Sequence, residues 1–326
     1  MNVLVIGLGS MGKRRVRLIR QIDENIRIFG VDSREDRRKE AEELYNVTTF
    51  ADLDKAFKEN LDAALICTSP LSHAGLIAKC LEKGLHVFTE INLVSDGYKD
   101  NMKTAEERNL VLFLSSTFCY RDEINYIADA VKKSGAVMSY TYHVGQYLPD
   151  WHPWESYTDY FIGDSRTNGC RELMAIELPW IINTFGKISS VQVKKGKKTK
   201  LNINYNDSYL LLIEHENGTQ GVVAVDVVSR KAVRNLEVFG EDLYLSWDGS
   251  AKGLKQYDTT AKTEKAVELY DVVDKQENYA AFIVENAYKN EIKTFFDIIR
   301  SGGEVKAAHT FADDLEVLNL IDKIES

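Results

Sequence analysis

Short apolar runs alternate with amphipathic segments over the first 120 residues of the chain. Runs rich in valine, isoleucine and leucine are typical of strands that are buried on both faces. They occupy residues 3–6, 26–31, 47–50, 63–67, 86–89 and 111–115. Helical patterns with one polar face separate them, at residues 34–45, 51–60, 72–83 and 96–109. This alternation predicts a parallel, doubly wound α/β sheet with helices on its faces.

The pattern changes after Tyr120. A helix is predicted over residues 122–133, a long alternating strand over 137–147 and a second helix over 171–184. Several strands follow over residues 188–270, separated by turn sequences such as Glu216-Asn217-Gly218, which is typical of consecutive antiparallel pairs. We therefore expect a first domain over residues 1–120 and an α+β domain over residues 121–326. Its last helix is a candidate to pack back toward the first domain.

The first apolar run leads directly into a glycine-rich turn. Gly7, Gly9 and Gly12 have the spacing G-x-G-x-x-G, with Ser10 and Met11 between the second and third glycines. In a dinucleotide site the first glycine allows a tight turn, the second lets a pyrophosphate approach the backbone, and the third lets helix and strand pack closely. The helix that follows offers N–H groups and a partial positive charge to phosphates. The turn therefore predicts dinucleotide binding.

The end of the second strand bears on the choice of dinucleotide. Asp32 lies 20 residues after Gly12, where a carboxylate accepts hydrogen bonds from the adenosine ribose. Its charge repels a 2′-phosphate, which favours NAD. Ser33 and Arg34 could hold that phosphate if Asp32 turned aside, so NADP is the alternative.

The carboxyl ends of the later strands supply more candidates for cofactor binding, because α/β folds place their ligands at this edge of the sheet. The candidates after the fourth and fifth strands are Thr68, Ser69, Pro70, His73, Glu90 and Asn92. Ser72 is expected to cap the helix that begins there, and Gly84 to end it. Glu90 is placed to touch the nicotinamide ribose.

Composition excludes several classes of partner. With 44% hydrophobic residues, 28% charged residues and a net charge of −9, neither nucleic acid nor an anionic membrane is expected as the main partner. No apolar run reaches the length of a membrane span, and the opening strand leaves no room for a signal peptide. The four scattered cysteines indicate reduced thiols in a cytoplasmic protein. The six histidines lack metal-ligand spacing, so no metal is expected.

These segments together resemble the Gfo/Idh/MocA family of NAD(P)-dependent oxidoreductases over nearly the full length. The resemblance rests on GLGSMGKRR at residues 7–15, ICTSPLSH at 66–73, GLHVFTE at 84–90, the Tyr120-Arg121 pair and residues 311–326. It implies a Rossmann domain followed by an open-faced antiparallel sheet. That sheet forms one wall of the substrate site and, in many members, the oligomer interface, so a homodimer or homotetramer is expected.

Two positions depart from the family's pattern. The family usually has Glu-Lys-Pro, whose lysine positions substrate and transfers protons, whereas this chain has Glu90-Ile91-Asn92. Family dehydrogenases also often carry Asp-x-x-x-His in the second domain. Here Glu172 takes the place of the acid and Ile176 that of the histidine. The cofactor half of the resemblance therefore transfers, and the usual mechanism does not.

An aromatic segment and one glutamate are the candidates to replace the missing groups. His152 lies among Trp151, Pro153 and Trp154, either as a platform that covers a sugar or as packing for a loop or subunit interface. Glu172 is a candidate proton acceptor, or else a first-turn glutamate favoured by the helix dipole. We predict catalytic roles for Glu172 and His152. The predicted substrate contacts are Tyr120, Arg121, Trp151 and Trp154.

The leading hypothesis is an NAD(P)-dependent oxidoreductase that transfers hydride to or from a sugar or sugar-derived substrate, including nucleotide-linked ones, with an atypical proton path. One alternative is a cofactor-binding protein without redox turnover that acts as a sensor or assembly partner. Another is an enzyme that retains NAD and catalyses a net non-redox reaction.

Overall fold

A computed structural model describes residues 1–274 and 283–326 and divides the chain into two compact units. The first unit comprises Met1–Ser116 and Tyr288–Glu316, and the second comprises Thr117–Ala287 and Val317–Ser326. The sequence places a single boundary at residue 120, whereas the units change after residues 116, 287 and 316. Among the described residues, no helix is both long and apolar enough to cross a membrane.

The first unit contains a six-stranded parallel sheet in the order β3-β2-β1-β4-β5-β6, which confirms the predicted doubly wound fold. Its strands are β1 Asn2–Ile6, β2 Arg27–Val31, β3 Thr48–Phe50, β4 Ala63–Ile66, β5 His86–Thr89 and β6 Leu112–Leu114. The helices between them are α1 Ser10–Ile22, α2 Glu35–Tyr45, α3 Leu53–Ala56, α4 His73–Glu82 and α5 Tyr98–Glu107.

The order of the strands brings three carboxyl ends together. Ile6 at the end of β1 pairs with Val31 on one side and with Ile66 on the other. The chain winds outward in opposite directions from β1 and β4, so a crevice for a ligand is expected where these two strands end. The apolar runs of β1 and β4 are continuous because both faces are covered: Val3 and Leu65 have no exposed surface.

One local prediction in this unit is wrong in its detail. Ser72 precedes α4, but its hydroxyl donates to the carbonyl of Ser69 (2.7 Å) and does not cap the helix. The reason is that Pro70 starts a short 3-10 turn over Pro70–Ser72, which brings Ser72 back toward Ser69. Gly84 has φ +78°, the left-handed conformation expected of a glycine just after a helix.

The second unit is built on an eight-stranded sheet in the order β14-β13-β12-β11-β7-β10-β9-β8. Along the chain, α6 is Asp122–Ser134, β7 Ser139–Gly145, α7 Gly169–Phe185, β8 Ile188–Gly196, β9 Ser208–His215, β10 Gln220–Asp226, β11 Val233–Phe239, β12 Tyr244–Trp247, β13 Lys255–Asp258 and β14 Thr263–Ala266. Two helices follow along the chain: α8 Glu285–Arg300, most of which belongs to the first unit, and α9 Phe311–Glu325, whose residues are divided between the two units.

The expected antiparallel sheet is confirmed, with one exception. β7 pairs antiparallel with β11 but parallel with β10. After β7 the chain passes through α7 to β8, which lies at one edge of the sheet. From there β8, β9 and β10 follow as antiparallel neighbours, and β10 lies beside β7 with the same direction. Turn sequences between neighbouring strands do not carry that information.

The two faces of this sheet differ. Tyr140 and Tyr142 of β7 are buried against α7, where their rings pack on Phe185 and Trp180 at centroid distances of 4.1 and 5.3 Å. The opposite face, which we call the open face, exposes Leu210, Leu212 and Val222. Leu212 lies directly opposite Val222 across β9 and β10, and 54% of its surface is exposed. The open-faced sheet implied by the resemblance is therefore present.

Candidate functional site

The glycine-rich turn needs glycine for reasons of space. Gly7 has φ +90°, and a Cβ there would lie 2.7 Å from the carbonyl oxygen of Cys67. A Cβ on Gly12 would lie 1.8 Å from the carbonyl oxygen of Gly7. Gly9 immediately precedes α1 and has no side chain to cap it, and Ser10 and Met11 form the first turn. The first N–H groups of α1 therefore open at the carboxyl edge of the sheet.

Asp32 is held at the end of β2 by two backbone donors. Its Oδ2 accepts from the N–H of Leu8 (2.8 Å) and its Oδ1 from the N–H of Arg34 (2.9 Å). The residue is 8% exposed. Each carboxylate oxygen can accept more than one hydrogen bond, so both retain capacity for the hydroxyls of a ribose. The carboxylate is thus fixed in orientation at the predicted place.

Arg37 is a neighbour of this carboxylate that the sequence analysis missed. Its Nη1 lies 3.6 Å from Asp32 Oδ2, and a Cβ on Gly9 would lie 3.4 Å from the same nitrogen. The guanidinium therefore lies between the glycine turn and the end of β2. Three arginines, Arg34, Arg37 and Arg38, lie at the start of α2. Their positions in the sequence do not show which of them lies beside Asp32.

The other two arginines of this turn have partners. Arg34 Nε donates to Asp36 Oδ1 (3.1 Å), and both side chains are exposed. Arg38 Nη1 donates to the carbonyl oxygens of Asp32 (2.8 Å) and Ser33 (3.0 Å). The negative charge of Asp32 disfavours a 2′-phosphate, and the guanidinium of Arg37, 3.6 Å away, partly offsets that charge.

His73 links two of the predicted site segments. Its Nδ1 lies 2.7 Å from Asn92 Oδ1 and its Nε2 lies 3.0 Å from the carbonyl oxygen of Thr68. The ring is buried, and this desolvation lowers the pKa of His73. His73 thus holds the segment after β4, with Ser69 and Pro70, beside the segment after β5. Its own contact with a cofactor stays a prediction.

Glu90 has a charged partner that the sequence analysis also missed. Arg15 Nε lies 2.6 Å from Glu90 Oε1, and Arg15 Nη2 lies 3.0 Å from Glu90 Oε2. The same Nη2 lies 2.7 Å from Oε1 of Glu291, whose side chain has no exposed surface. Glu90 is therefore held in a buried ion-pair cluster at the end of β5, and its contact with the nicotinamide ribose stays a prediction. The position of Arg15 three residues after Gly12, on the inner side of α1, was the signal for it.

In the second unit, Glu172 lies in the first turn of α7. Asn168 caps this helix by accepting from the N–H of Arg171 (2.8 Å). The Oε2 atom of Glu172 is shielded from solvent and has no hydrogen-bond partner within the described residues. Desolvation raises the pKa of Glu172 to about 7, against the opposing charge of Arg234. A carboxyl with such a pKa can accept or release a proton near neutral pH.

Glu177, on the same helix, has a different environment. It is buried and accepts hydrogen bonds from Tyr142 Oη (2.8 Å), Trp180 Nε1 (2.6 Å) and Arg234 Nε (2.9 Å). Its oxygens are thus satisfied inside the protein. The sequence analysis preferred Glu172 over Glu177 as the proton acceptor, and that preference stays a prediction.

His152 belongs to a stack of aromatic rings. It packs on Tyr160 (centroids 4.6 Å, interplanar angle 25°) and on Trp154 (5.1 Å, 16°). Its Nδ1 lies 2.8 Å from Glu155 Oε1. Trp154 is 74% exposed, whereas Trp151 donates from its Nε1 to the carbonyl oxygen of Gln146 (3.1 Å). Tyr160 also packs on His152 in this stack, and the sequence analysis did not single it out.

Tyr120 and Arg121, neighbours in the sequence, differ in how far they are buried. Tyr120 ends a short 3-10 turn and is half-buried. Arg121 is buried; its Nη2 lies 2.7 Å from Glu123 Oε1, and its guanidinium lies 4.9 Å from the centre of the Trp247 ring. The charge of Arg121 is thus committed to an internal ion pair, and its contact with a substrate stays a prediction. In the part of the chain that the structure describes, no three His, Cys, Asp or Glu residues are arranged to hold a metal.

The sequence of the chain is similar to those of known oxidoreductases. Residues 1–116 match the sequence model of a family described as "Oxidoreductase family, NAD-binding Rossmann fold". The chain is 25% identical over 327 residues to myo-inositol 2-dehydrogenase of Thermotoga maritima, an alignment that covers 93% of this chain and 89% of that protein.

Solved structures share the fold. An oxidoreductase from Agrobacterium radiobacter in complex with NAD+, L-tartaric acid and magnesium has a TM-score of 0.81 at 16% identity, covering 99% of this chain and 94% of that one. UDP-N-acetylglucosamine 3-dehydrogenase from Acidithiobacillus ferrooxidans has a TM-score of 0.75 at 19% identity, covering 100% of this chain and 96% of that one.

Proposed function

We propose that this chain is a member of the Gfo/Idh/MocA family of NAD-binding oxidoreductases and that it interconverts a hydroxyl and a carbonyl group on a sugar or sugar-derived substrate with NAD as cofactor. The substrate class is supported by the relative from Thermotoga maritima, which is a myo-inositol dehydrogenase. The departures at Ile91 and Ile176 require a proton path of this chain's own.

The first unit fits the cofactor. There is no space for a side chain at Gly7 or Gly12, so no side chain of these residues covers the backbone of the turn. Helix α1 begins immediately after Gly9. The pyrophosphate would bind at this helix N-terminus and the adenosine ribose at Asp32. Bound there, NAD supplies the acceptor or donor for the hydride.

The observation that carries the proposal is the environment of Glu172. A hydroxyl that becomes a carbonyl must lose its proton, and a group with a pKa near the working pH accepts it best. The unpaired Oε2 atom of Glu172 provides such an acceptor. Isoleucine at positions 91 and 176 can neither accept nor donate a proton, so the role falls to the carboxyl.

His152 has a secondary part in this proposal. It packs on the half-buried ring of Tyr160, and Glu155 orients its Nδ1. The stack of Trp154, His152 and Tyr160 presents an aromatic face that suits the apolar C–H face of a sugar. We therefore place the substrate beside Glu172 and this stack.

An isotope experiment tests the function. The protein is incubated with a small-metabolite extract and NADH carrying deuterium at C4, with each C4 face and NADPH in separate reactions, and the products are analysed by mass spectrometry. We expect deuterium in a polyhydroxylated product from one face of NADH. Transfer should fall strongly in Glu172→Gln, an isosteric change that removes the carboxyl, which in this reducing direction gives its proton to the new hydroxyl.

Other outcomes of this experiment discriminate between functions. Tight NADH binding without label in any product would favour a retained cofactor or a binding protein without turnover. Undiminished transfer in both Glu172→Gln and His152→Ala would remove these residues from the proton path.

Two further proposals concern the setting of the enzyme. The open face exposes apolar side chains on adjacent strands, and two copies of the chain would cover them in a homodimer or homotetramer. Leu212→Arg should then lower the molar mass measured by light scattering, whereas Leu44→Arg, at a leucine of α2 that is also more than half exposed, should not. The free state of Cys67, Cys80, Cys119 and Cys170 is consistent with a cytoplasmic location.

A further inference from the structure

Three buried polar atoms in one region of the second unit have no hydrogen-bond partner within the described residues. They are Glu172 Oε2, Tyr160 Oη and Tyr205 Oη. A buried hydroxyl or carboxyl oxygen that forms no hydrogen bond costs about 1–3 kcal/mol, so such atoms are few in native proteins. Several of them together indicate a place built to receive a polar ligand.

These groups are electrostatically connected. The pKa of Tyr160 is raised first by burial and then by the charges of Glu172 and Glu155 and by Tyr205. Tyr160 therefore keeps its proton across the physiological range, and its hydroxyl acts there as a hydrogen-bond donor. Glu172, with a pKa of about 7, is the acceptor of the group. The hydroxyl of Tyr160 as a donor and the carboxylate of Glu172 as an acceptor thus have complementary roles.

The donor is held in place by its ring. One face of Tyr160 packs on His152 at 4.6 Å, and its ring forms a T-shaped pair with that of Phe161, at a centroid distance of 5.7 Å with the planes at 81°. A ring held on two sides has few rotamers available, so the direction of its hydroxyl is set before a ligand arrives. Such preorganised donors discriminate strongly between ligands that have and lack the matching group.

We propose that Tyr160 is a specificity-determining residue that donates a hydrogen bond to a second hydroxyl of the substrate, next to the hydroxyl whose proton Glu172 accepts. The substrate class is then a vicinal diol or polyol. This inference rests on the proposed function. In the oxidation, the carbinol carbon gives up its hydrogen with an electron pair to NAD+, and its hydroxyl proton passes to Glu172 Oε2. The second hydroxyl is unchanged and accepts from Tyr160.

The test compares two alcohols that differ by one hydroxyl. Initial rates of NAD+ reduction are measured with cyclohexanol and with cyclohexane-1,2-diol, as cis and trans isomers, for the wild type and Tyr160→Phe. The variant retains the aromatic ring and removes only the hydroxyl. We expect the wild type to prefer a diol and the preference, as a ratio of kcat/KM values, to fall about tenfold in the variant. An equal ratio in both proteins would overturn the proposal.

Two controls separate this effect from a change in folding. Tyr157→Phe removes a hydroxyl from the same segment, one that accepts from the N–H of Asn202 (3.1 Å), and should leave the ratio unchanged. Because Tyr160 Oη has no partner in the described residues, Tyr160→Phe should not lower the melting temperature. A lower ratio in both variants would indicate a general loss of order in the segment and would overturn the specific role of Tyr160.

If the wild type oxidises neither alcohol, that result counts against the proposed function for these probes. A binding measurement then tests the role of Tyr160 separately. Saturation-transfer NMR then measures binding of myo-inositol to the protein with NAD+ present. About tenfold weaker binding in Tyr160→Phe supports the donor role, whereas equal binding, or none to the wild type, overturns it.

Discussion

Arg15 donates two hydrogen bonds to the carboxylate of Glu90, from Nε to Oε1 at 2.6 Å and from Nη2 to Oε2 at 3.0 Å. The two residues are separated by 75 positions in the chain, yet the guanidinium has no exposed surface. Glu291 contacts the same Nη2 at 2.7 Å, and Ser115 Oγ accepts from it at 3.1 Å. One buried cation thus fastens the end of β5 to α1 and α8 inside the first unit.

Replacing Arg15 with methionine should destabilise the protein strongly. The substitution keeps much of the side-chain volume but leaves the carboxylates of Glu90 and Glu291 buried without their cation. Breaking a buried pair in this way costs about 3–5 kcal/mol. Lys13→Met, on the same helix, removes the exposed pair of Lys13 with Glu40 and should cost less than about 1 kcal/mol. Urea unfolding of both variants measures the difference; similar losses would show that the cluster contributes little.

Gly12→Ala should abolish dinucleotide binding or folding of the first unit. The added Cβ would lie 1.8 Å from the carbonyl oxygen of Gly7, so the turn and α1 must separate. Gly75 is the matched control, because it lies in α4 and a Cβ there meets nothing within 4 Å. Gly75→Ala should stabilise the protein by about 0.5–1 kcal/mol. NADH fluorescence titration and thermal unfolding distinguish the variants, and normal NADH binding by Gly12→Ala would refute the assignment of the turn.

Asp32→Ser should shift the cofactor preference from NADH toward NADPH. The change removes the negative charge that faces the 2′ position and the carboxylate acceptor for the ribose hydroxyls. Loss of a hydrogen bond to a charged group corresponds to about tenfold or more in affinity. Asp36→Ser, which removes the exposed partner of Arg34, is the control for the loss of a carboxylate in the same segment. If the ratio of the two dissociation constants does not change in Asp32→Ser, this carboxylate is not in the cofactor site.

The rate of oxidation should depend on pH through Glu172. The pKa of Glu172 is about 7, and only the ionised carboxylate accepts a proton. We therefore expect kcat/KM for oxidation to rise with pH up to about that value and then to level off, and the reverse reaction to be favoured below it. A pH–rate profile with the same rising limb in Glu172→Gln would assign the ionisation to another group.

The same carboxyl should also affect stability. Burial raises its pKa from the ordinary value of 4.5, so the folded protein binds this proton more tightly than the unfolded chain. Ionised Glu172 is thus unfavourable in the folded state, and its contribution to stability falls as the pH rises from 4.5 to about 7. Glu172→Gln should therefore gain stability relative to the wild type between pH 5 and pH 8. Denaturant unfolding at both values measures this, and a constant difference would contradict the raised pKa.

Much of the first unit could be predicted because its signals are local. Apolar runs of a few residues mark buried parallel strands, and the spacing of Gly7, Gly9 and Gly12 marks a turn whose steric requirements lie within neighbouring residues. Asp32 was found for the same reason, since its distance from the glycines along the chain follows from the βαβ unit. Glu172 was chosen as a candidate through a resemblance in position and not from its surroundings, and its role stays a prediction.

The specific partners of strands and of side chains were decided only by the tertiary structure. The sequence alone determined the alternation of elements, the glycine turn and the residues at the strand ends. It did not determine that β10 would lie parallel to β7, that Arg15 would bind Glu90 and Glu291, or that Tyr160 would stack on His152. Periodicity and spacing report which side of an element is buried, because burial repeats along a helix or strand. They do not identify the partner of a buried side chain, because that partner is chosen by the path of the whole chain.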